Sequence, residues 1–403
     1  MRATIASSSR STFSSLHHRN FRLFFIGQSI SNSGNWLTNV ALTLFVLKIA
    51  GTGVGVGFLA ACQFGPLLFL SAWGGAVADR VDKRRMLLLT QTLEMLQSMA
   101  LSVFAFMPHP PLAGLYALAA LGGVLLSLDN PLRRSFVAEM VPAADLPNAV
   151  VLYSTIVNLS RIFGPSLAGL LVVTTGFGWC FAIDALSYVA VIWCLVIMRP
   201  EELHRHGRRD RPIGGVRDGL RYAWSVPTLR VSFAMLAAIT MLGYNFTVTL
   251  PLFVTRGLGA SERVFTTIYS VMAFGSVASA LIVARRGHVT MRYVTTAAAS
   301  LGGALMLLAA SPGVAWAALA AFLTGGTSLA FMTANTTVVQ LEARGDMHGR
   351  MLALQTVCLG ASALVGGPLL GWIADALGGR AVMVVGGVTC LVAAALGSIA
   401  TAN

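Results

Sequence analysis

Four ionisable residues, Glu94, Asp129, Arg161 and Asp184, stand inside long apolar runs of this sequence. Each costs about 2.5–3.5 kcal/mol to place in a bilayer, so such residues face a partner or a water-filled path. Carboxylates in that setting carry protons or hold ion pairs. Asp129 lies near the end of its run, at the depth of a charged stretch, Gly75-Ala76-Val77-Ala78-Asp79-Arg80-Val81-Asp82-Lys83-Arg84-Arg85. It is expected to pair with Arg80 or Arg84, either as a latch that a proton releases or as a permanent tie. Asp79 can also face the N-terminus of a helix, where the dipole favours an anion; Asp82, Lys83 and Arg85 read as solvated charges. Glu94 reads as a proton site or an interhelical hydrogen bond, and Asp184 as a capping or packing residue. Arg161, four residues before Pro165, suits an anionic ligand group or a pairing with Glu94 or Asp184.

A second constellation is neutral. Gln28, Asn32, Asn35 and Asn39 recur at steps of four, three and four, which puts them on one face of a helix. Amides cannot face lipid unsatisfied. The stripe therefore lines a cavity, with Tyr244 and Asn245 on the opposite wall, or packs amide against helix.

The elements that position these groups follow from composition. The chain is 56% hydrophobic and 11% charged over 403 residues, against about 25% charged in a soluble domain. The net charge of +13 would suit nucleic acid, but the cations alternate between loops instead of forming a stripe. Apolar runs of about 18–25 residues cross a bilayer as helices. They fall at 22–48, 54–79, 86–107, 112–134, 148–174, 178–198, 229–253, 264–285, 292–311, 313–338, 349–376 and 380–400. The fold class expected is an all-α polytopic membrane protein of twelve transmembrane helices. With both termini inside, the cytoplasmic segments hold 23 of the 28 Lys and Arg residues, Arg133 and Arg134 among them, as the positive-inside rule requires.

The two halves repeat. Gly75 and Arg85 return as Gly275 and Arg285, Asn130 as Asn335, and Gly164-Pro165-Ser166-Leu167-Ala168-Gly169 as Gly367-Pro368-Leu369-Leu370-Gly371. The repeat predicts two parallel six-helix bundles with a cavity between them, in which the Gly164–Gly169 and Gly367–Gly371 segments read as hinges. The organisation expected is a disordered tail over 1–20, a bundle over 21–198, a cytoplasmic linker over 199–228 and a second bundle over 229–403. Within the linker, 216–224 reads as a helix on the inner leaflet or as solvated chain.

No Gly-x-x-x-x-Gly-Lys-Ser/Thr occurs, so ATP is not bound by a phosphate-cradling loop. No histidine lies mid-span and no Gly-x-Ser-x-Gly is present, which speaks against a membrane hydrolase. No cofactor and no metal site is expected.

The charged stretch resembles the signature of the major facilitator superfamily, Gly-x-x-x-Asp-Arg-x-Gly-x-Arg/Lys-Arg/Lys, with Gly75, Asp79, Arg80, Arg84 and Arg85 in place and Asp82 where the second Gly stands. Phe21-Arg22-Leu23-Phe24, Asp129-Asn130-Pro131, the Gly164–Gly169 segment and Asp184-Ala185-Leu186-Ser187-Tyr188 resemble the drug:proton antiporter branch of macrolide and enterobactin-type exporters. Ser160 departs from that branch, which has Gly there, and no Arg lies in 112–128. The resemblance implies a monomeric secondary transporter of the bacterial inner membrane that exports small amphipathic molecules in exchange for protons. An importer or facilitator on the same fold is the alternative. It favours the latch reading of Asp129, with Asp79 and Glu94 as further proton-coupling candidates.

Overall fold

The computed structural model describes residues 13–78, 80–204, 216–284, 289–344 and 347–402, which are helical almost throughout. Asp79 and Arg285 lie outside the described residues, as does the side chain of Arg161. The first six helices are α1 (Arg19–Ala50), α2 (Gly53–Ala78), α3 (Lys83–Phe106), α4 (Leu112–Val137), α5 (Leu146–Thr174) and α6 (Phe177–Val196). A short α7 (Val216–Ser225) precedes α8 (Pro227–Leu242), α9 (Phe246–Leu252), α10 (Glu262–Ala284), α11 (Met291–Ala309), α12 (Val314–Glu342), α13 (His348–Ala361), α14 (Gly367–Leu377) and α15 (Gly379–Ala402).

Nine helical stretches among the described residues are long and apolar enough to cross a membrane. The long helices α1, α5 and α10 pack against them. Such runs become helices because lipid offers the backbone no hydrogen-bond partner. Phe69, Leu186, Trp193 and Trp372 are all more than half exposed. On a soluble protein they would be an aggregation surface; on helices of this length and composition they suit contact with lipid.

Local chemistry sets the ends. Gly51, at φ 65°, stops α1 with its N–H on the Leu47 carbonyl, a left-handed stop that glycine adopts without strain. Asp82 caps α3 by accepting from the Arg85 N–H at 3.1 Å. Asp82→Ala is expected to cost about 1 kcal/mol, seen as a small fall in melting temperature with transport retained.

Two runs read as single spans are interrupted. Residues 243–245 separate α8 from α9, and a π-helical turn at Ser362–Gly366 joins α13 to α14. The irregularities meet: Asn245 Nδ2 donates to the Ser362 carbonyl at 3.3 Å, and Gly366 packs on the Met241 carbonyl. Asn245 is thus buried and tied to a neighbouring span, not placed on an open cavity wall. Tyr244 stacks at a tilt on Phe246, with ring centroids 5.3 Å apart.

The halves share a packing plan, with α2 on α4 and α3 on α6 in one, α10 on α12 and α11 on α15 in the other. Gly123 and Gly325 play matching parts, seating α4 and α12 on the carbonyls of Gln63 and Met272.

Residues 13–20, assigned by sequence to a disordered tail, are folded. The turn Ser14–His17 is fastened to the start of α5: the Ser15 N–H donates to Asn148 Oδ1 (3.1 Å), Ser15 Oγ to the Asp145 carbonyl (3.1 Å), and His18 Nε2 lies 2.8 Å from Asp145 Oδ2. Asn20 Nδ2 donates to the Arg199 carbonyl and Asn20 Oδ1 accepts from the Arg199 N–H, at 2.8 and 3.0 Å. At the other end of the 199–228 segment, α7 docks on the second half, where Tyr222 Oη accepts from the Arg344 N–H at 3.1 Å.

Candidate functional site

The intramembrane charges converge on one place in the first half. Asp129 and Arg133 are i and i+4 on α4 and so leave the helix on one face; they form an ion pair, 1% and 4% exposed. From α3, Thr90 Oγ1 and Gln91 Nε2 donate to Asp129 Oδ1 at 3.1 and 2.9 Å, and Gln91 Nε2 also reaches Glu94 Oε2 at 2.9 Å. Arg133 Nη2 stands 3.3 Å from that same Glu94 oxygen. From α1, Gln28 Oε1 and Asn32 Oδ1 accept from Arg133 Nη1 at 2.7 and 3.3 Å. One guanidinium therefore faces two carboxylates, and a single proton on either carboxylate neutralises the cluster.

This arrangement corrects two expectations. Asp129 pairs with Arg133, not with Arg80 or Arg84, and Arg133 is not a loop cation. The helix continues through Pro131 to Val137 and draws Arg133 inside. A proline removes the donor for the carbonyl four residues back, and Gly74 of α2 packs directly on that carbonyl, of Ser127. Extending the Asn130/Asn335 correspondence puts Ala334 and Val338 where Asp129 and Arg133 stand. Both are buried, so the second half has no copy of the ion pair at these positions.

The polar stripe of α1 divides. Gln28 and Asn32 belong to the cluster, while Asn35 and Asn39 line a cavity of about 60 Å³ inside the first half, shared with Glu94 and Asp184. Asn35 Nδ2 approaches Tyr188 Oη at 3.5 Å. The stripe thus faces protein. Asp184 is central too, not an end cap: Thr38 Oγ1 of α1 and Ser98 Oγ of α3 each donate to its Oδ2 at 2.7 Å.

In the charged stretch, Lys83 is not solvated but paired with Glu139 at 2.5 Å, both largely buried. Arg84 donates to the carbonyls of Leu195 and Val196 at 2.7 and 2.9 Å, a cation capping the C-terminus of α6. Arg80 and Arg85 are exposed. Gly75 has open space around the position of a Cβ; its neighbour Gly74 is the one in close contact.

The proposed hinge segments are close crossings. Gly164, one residue before Pro165, lets α5 meet the α1 backbone at Ser33 and Leu37 and the Cβ of Trp36. Between the halves, Gly57 and Gly53 of α2 lie on the carbonyls of Gly367 and Gly371, the former just before Pro368, and Gly169 of α5 lies on Thr266 of α10. Ser166 Oγ and Ser270 Oγ hydrogen-bond across the same divide at 2.8 Å. Asp375 accepts from the N–H groups of Gly53 (2.6 Å) and Val54 (2.9 Å) and pairs with Arg256, which also donates to the Gly51 carbonyl. The contacts of α2 with α14, of α5 with α10 and of Asp375 and Arg256 draw the halves together at the end of the bundle that holds Gly53.

The comparisons with known proteins agree with this frame. Residues 10–402 match the family model MFS_3, transmembrane secretion effector. The chain is 25% identical to the multidrug efflux pump Tap of Mycolicibacterium fortuitum, covering 86% of this chain and 87% of that one. It is 24% identical to the enterobactin exporter EntS of Shigella boydii, with 88% and 85% covered, and 25% identical to the staphyloferrin A transporter of Staphylococcus aureus, with 68% and 70% covered. Among solved structures, a POT family transporter in complex with a thioalcohol-conjugated peptide superposes with a TM-score of 0.75 at 12% identity, over 95% and 96% of the two chains. A bacterial homologue of the human lysosomal transporter Spinster, in an inward-facing and occupied conformation, gives 0.74 at 13% identity, over 95% and 96%. Since the family model spans nearly the whole length and the two-half helical frame underlies it, the chain belongs to the transmembrane secretion effector family of the major facilitator superfamily, multi-pass membrane transporters of small molecules and not enzymes.

Proposed function

We propose that the chain exports small amphipathic molecules of the drug or siderophore kind across a bacterial inner membrane, by alternating access and in exchange for protons. The observation that carries the reading is Arg133 held between Asp129 and Glu94 inside the first half. The names of the similar proteins, a drug efflux pump and siderophore transporters, support the substrate class.

In this reading twelve helices span the membrane, with α8–α9 and α13–α14 each making one span and both termini inside. Residues 21–198 and 229–403 form the two moving bodies, 199–228 joins them, and the chain works as a monomer. The Gly53 end then faces outward, and its contacts close the protein to the outside. The loop from Asp79 to Arg85 faces the cytoplasm as the inner gate. A proton on Asp129 or Glu94 removes one of the two anions that hold Arg133. The guanidinium then shifts its weight toward the remaining carboxylate and the amide oxygens of Gln28 and Asn32. Because α1 packs on α5, α6 and α9, that shift is felt by both halves. An anionic substrate group is left to Arg161.

Purified protein in proteoliposomes with an interior-acid gradient tests the reading, with siderophores, macrolides and lipophilic cations offered in turn. Wild type is expected to move protons when its substrate is added, and folded Asp129→Asn and Glu94→Gln proteins are not. Movement that survives both substitutions would make the cluster a structural tie. Silence with every compound would put an importer or uncoupled facilitator in place of the exporter.

A further inference from the structure

Asp184 is 1% exposed, and among the described residues its hydrogen-bond partners are three hydroxyls and no cation. A buried carboxylate anion without a cation is costly, so such a site must also accommodate the neutral acid. Here both forms are served. The anion receives Thr38 Oγ1 and Ser98 Oγ on Oδ2, each at 2.7 Å. Ser187 Oγ donates its one hydrogen to the Asp184 backbone carbonyl at 2.7 Å and lies 3.4 Å from Oδ1. Its lone pairs are therefore free to accept from a proton carried on Oδ1. Gly34 of α1 makes the room, since a Cβ there would strike both Asp184 Oδ1 and Ser187 Oγ.

The carboxylate also opens on the cavity of about 60 Å³, large enough for a few waters with polar partners. Those partners are present: Asn35 and Asn39 of α1, Gln63 of α2, Gln97 of α3 and Tyr188 of α6. The titratable groups on its wall besides Asp184 are Glu94 and Tyr188, with Asp129 and Arg133 behind Glu94. The lining contributed by α4 is Ala119, Gly122, Gly123 and Leu126, without charge.

We propose that Asp184 is a second proton-carrying carboxylate of this transporter, exchanging its proton with Glu94 through water held in the cavity of the first half. In the step, the Asp184 Oδ1–H bond breaks as a cavity water gains that proton. A water O–H bond then breaks as Glu94 gains one, so no electron changes hands. The inference extends the proton-exchange reading and rests on it only for the use made of the proton.

Infrared difference spectra of the full chain in lipid nanodiscs, taken across a pH series, test it without any substrate. Wild type is expected to show a pH-dependent carboxylic-acid carbonyl band that Asp184→Asn removes and Glu94→Gln retains. Thr38→Val with Ser98→Ala strips the donors from the anion and is expected to move the transition of that band to higher pH. If Asp184→Asn fails to fold, this shift decides alone. A band unchanged in Asp184→Asn, or a transition that ignores the loss of both hydroxyls, would make Asp184 a fixed tie between α1, α3 and α6. An intact Asp184 band in a protein that moves no protons with any compound would instead overturn the exchange reading and leave this site standing.

Discussion

Arg133→Leu is expected to lose about 3–5 kcal/mol of stability, the cost of leaving a buried charge without its partner, and to abolish transport. The substitution leaves Asp129 and Glu94 facing Gln91 with no cation between them and leaves Gln28 Oε1 with Asn32 as its donor. Thermal unfolding in detergent would register the loss directly. Joining Arg133→Leu to Asp129→Leu and Glu94→Gln should return most of the stability, since replacing a buried ion network by neutral groups is often neutral or better. It should not return transport. Groups in one network couple strongly, so the triple variant should differ from the sum of the singles. A single Arg133→Leu protein as stable as wild type would remove the cluster from the centre of the site.

Gly57→Leu is expected to have the second large effect, on conformation more than on folding. The α2 backbone meets that of α14 at Gly57 and Gly367 with no room for a side chain. Overpacking costs about 1–3 kcal/mol, and here the cost falls only on the form closed at the Gly53 end. That is a shift of about 5–150-fold toward the form open there. Ala60, buried at the same crossing, offers the reporter. In a background free of the five native cysteines, Ala60→Cys should react with an impermeant thiol reagent much faster when Gly57→Leu is present. The opposite trap uses Ser166→Cys with Ser270→Cys. Their hydroxyls are 2.8 Å apart across the divide, so the two positions are close enough to test for a disulfide. Oxidation should stop transport and reduction restore it, and unaltered transport in the oxidised protein would show that these helices need not part.

The helices were legible because lipid leaves the backbone of an apolar run to satisfy itself, and the predicted ends lie within a few residues of the helices seen, apart from the breaks inside 229–253 and 349–376. What escaped was pairing at a distance. Arg133 adjoins Arg134 just after Pro131, and so reads as the end of a span; its spacing of four from Asp129 was the available signal. Lys83 reads as solvated because Glu139 is 56 residues away. Asn245 reads as a cavity residue because nothing local announces the irregular turn at Ser362 that takes its amide. The period of the α1 stripe leaves cavity lining and helix packing both open, since period alone does not say which helix supplies a partner; Gln28 and Asn32 meet Arg133, while Asn35 and Asn39 line the cavity.

The division of the cluster between helices has a consequence for how the chain is made. Asp129 and Arg133 share α4, so that segment reaches the translocon with this buried pair already matched, Arg134 lying beyond it in the last turn. Glu94 has no such companion on α3, and its cation is encoded 39 residues later. During synthesis α3 carries a carboxyl that nothing yet balances, and its settlement in the bilayer waits for the next helix to arrive. A nascent chain cut between α3 and α4 would therefore hold its third segment loosely, and addition of α4 would fix both at once.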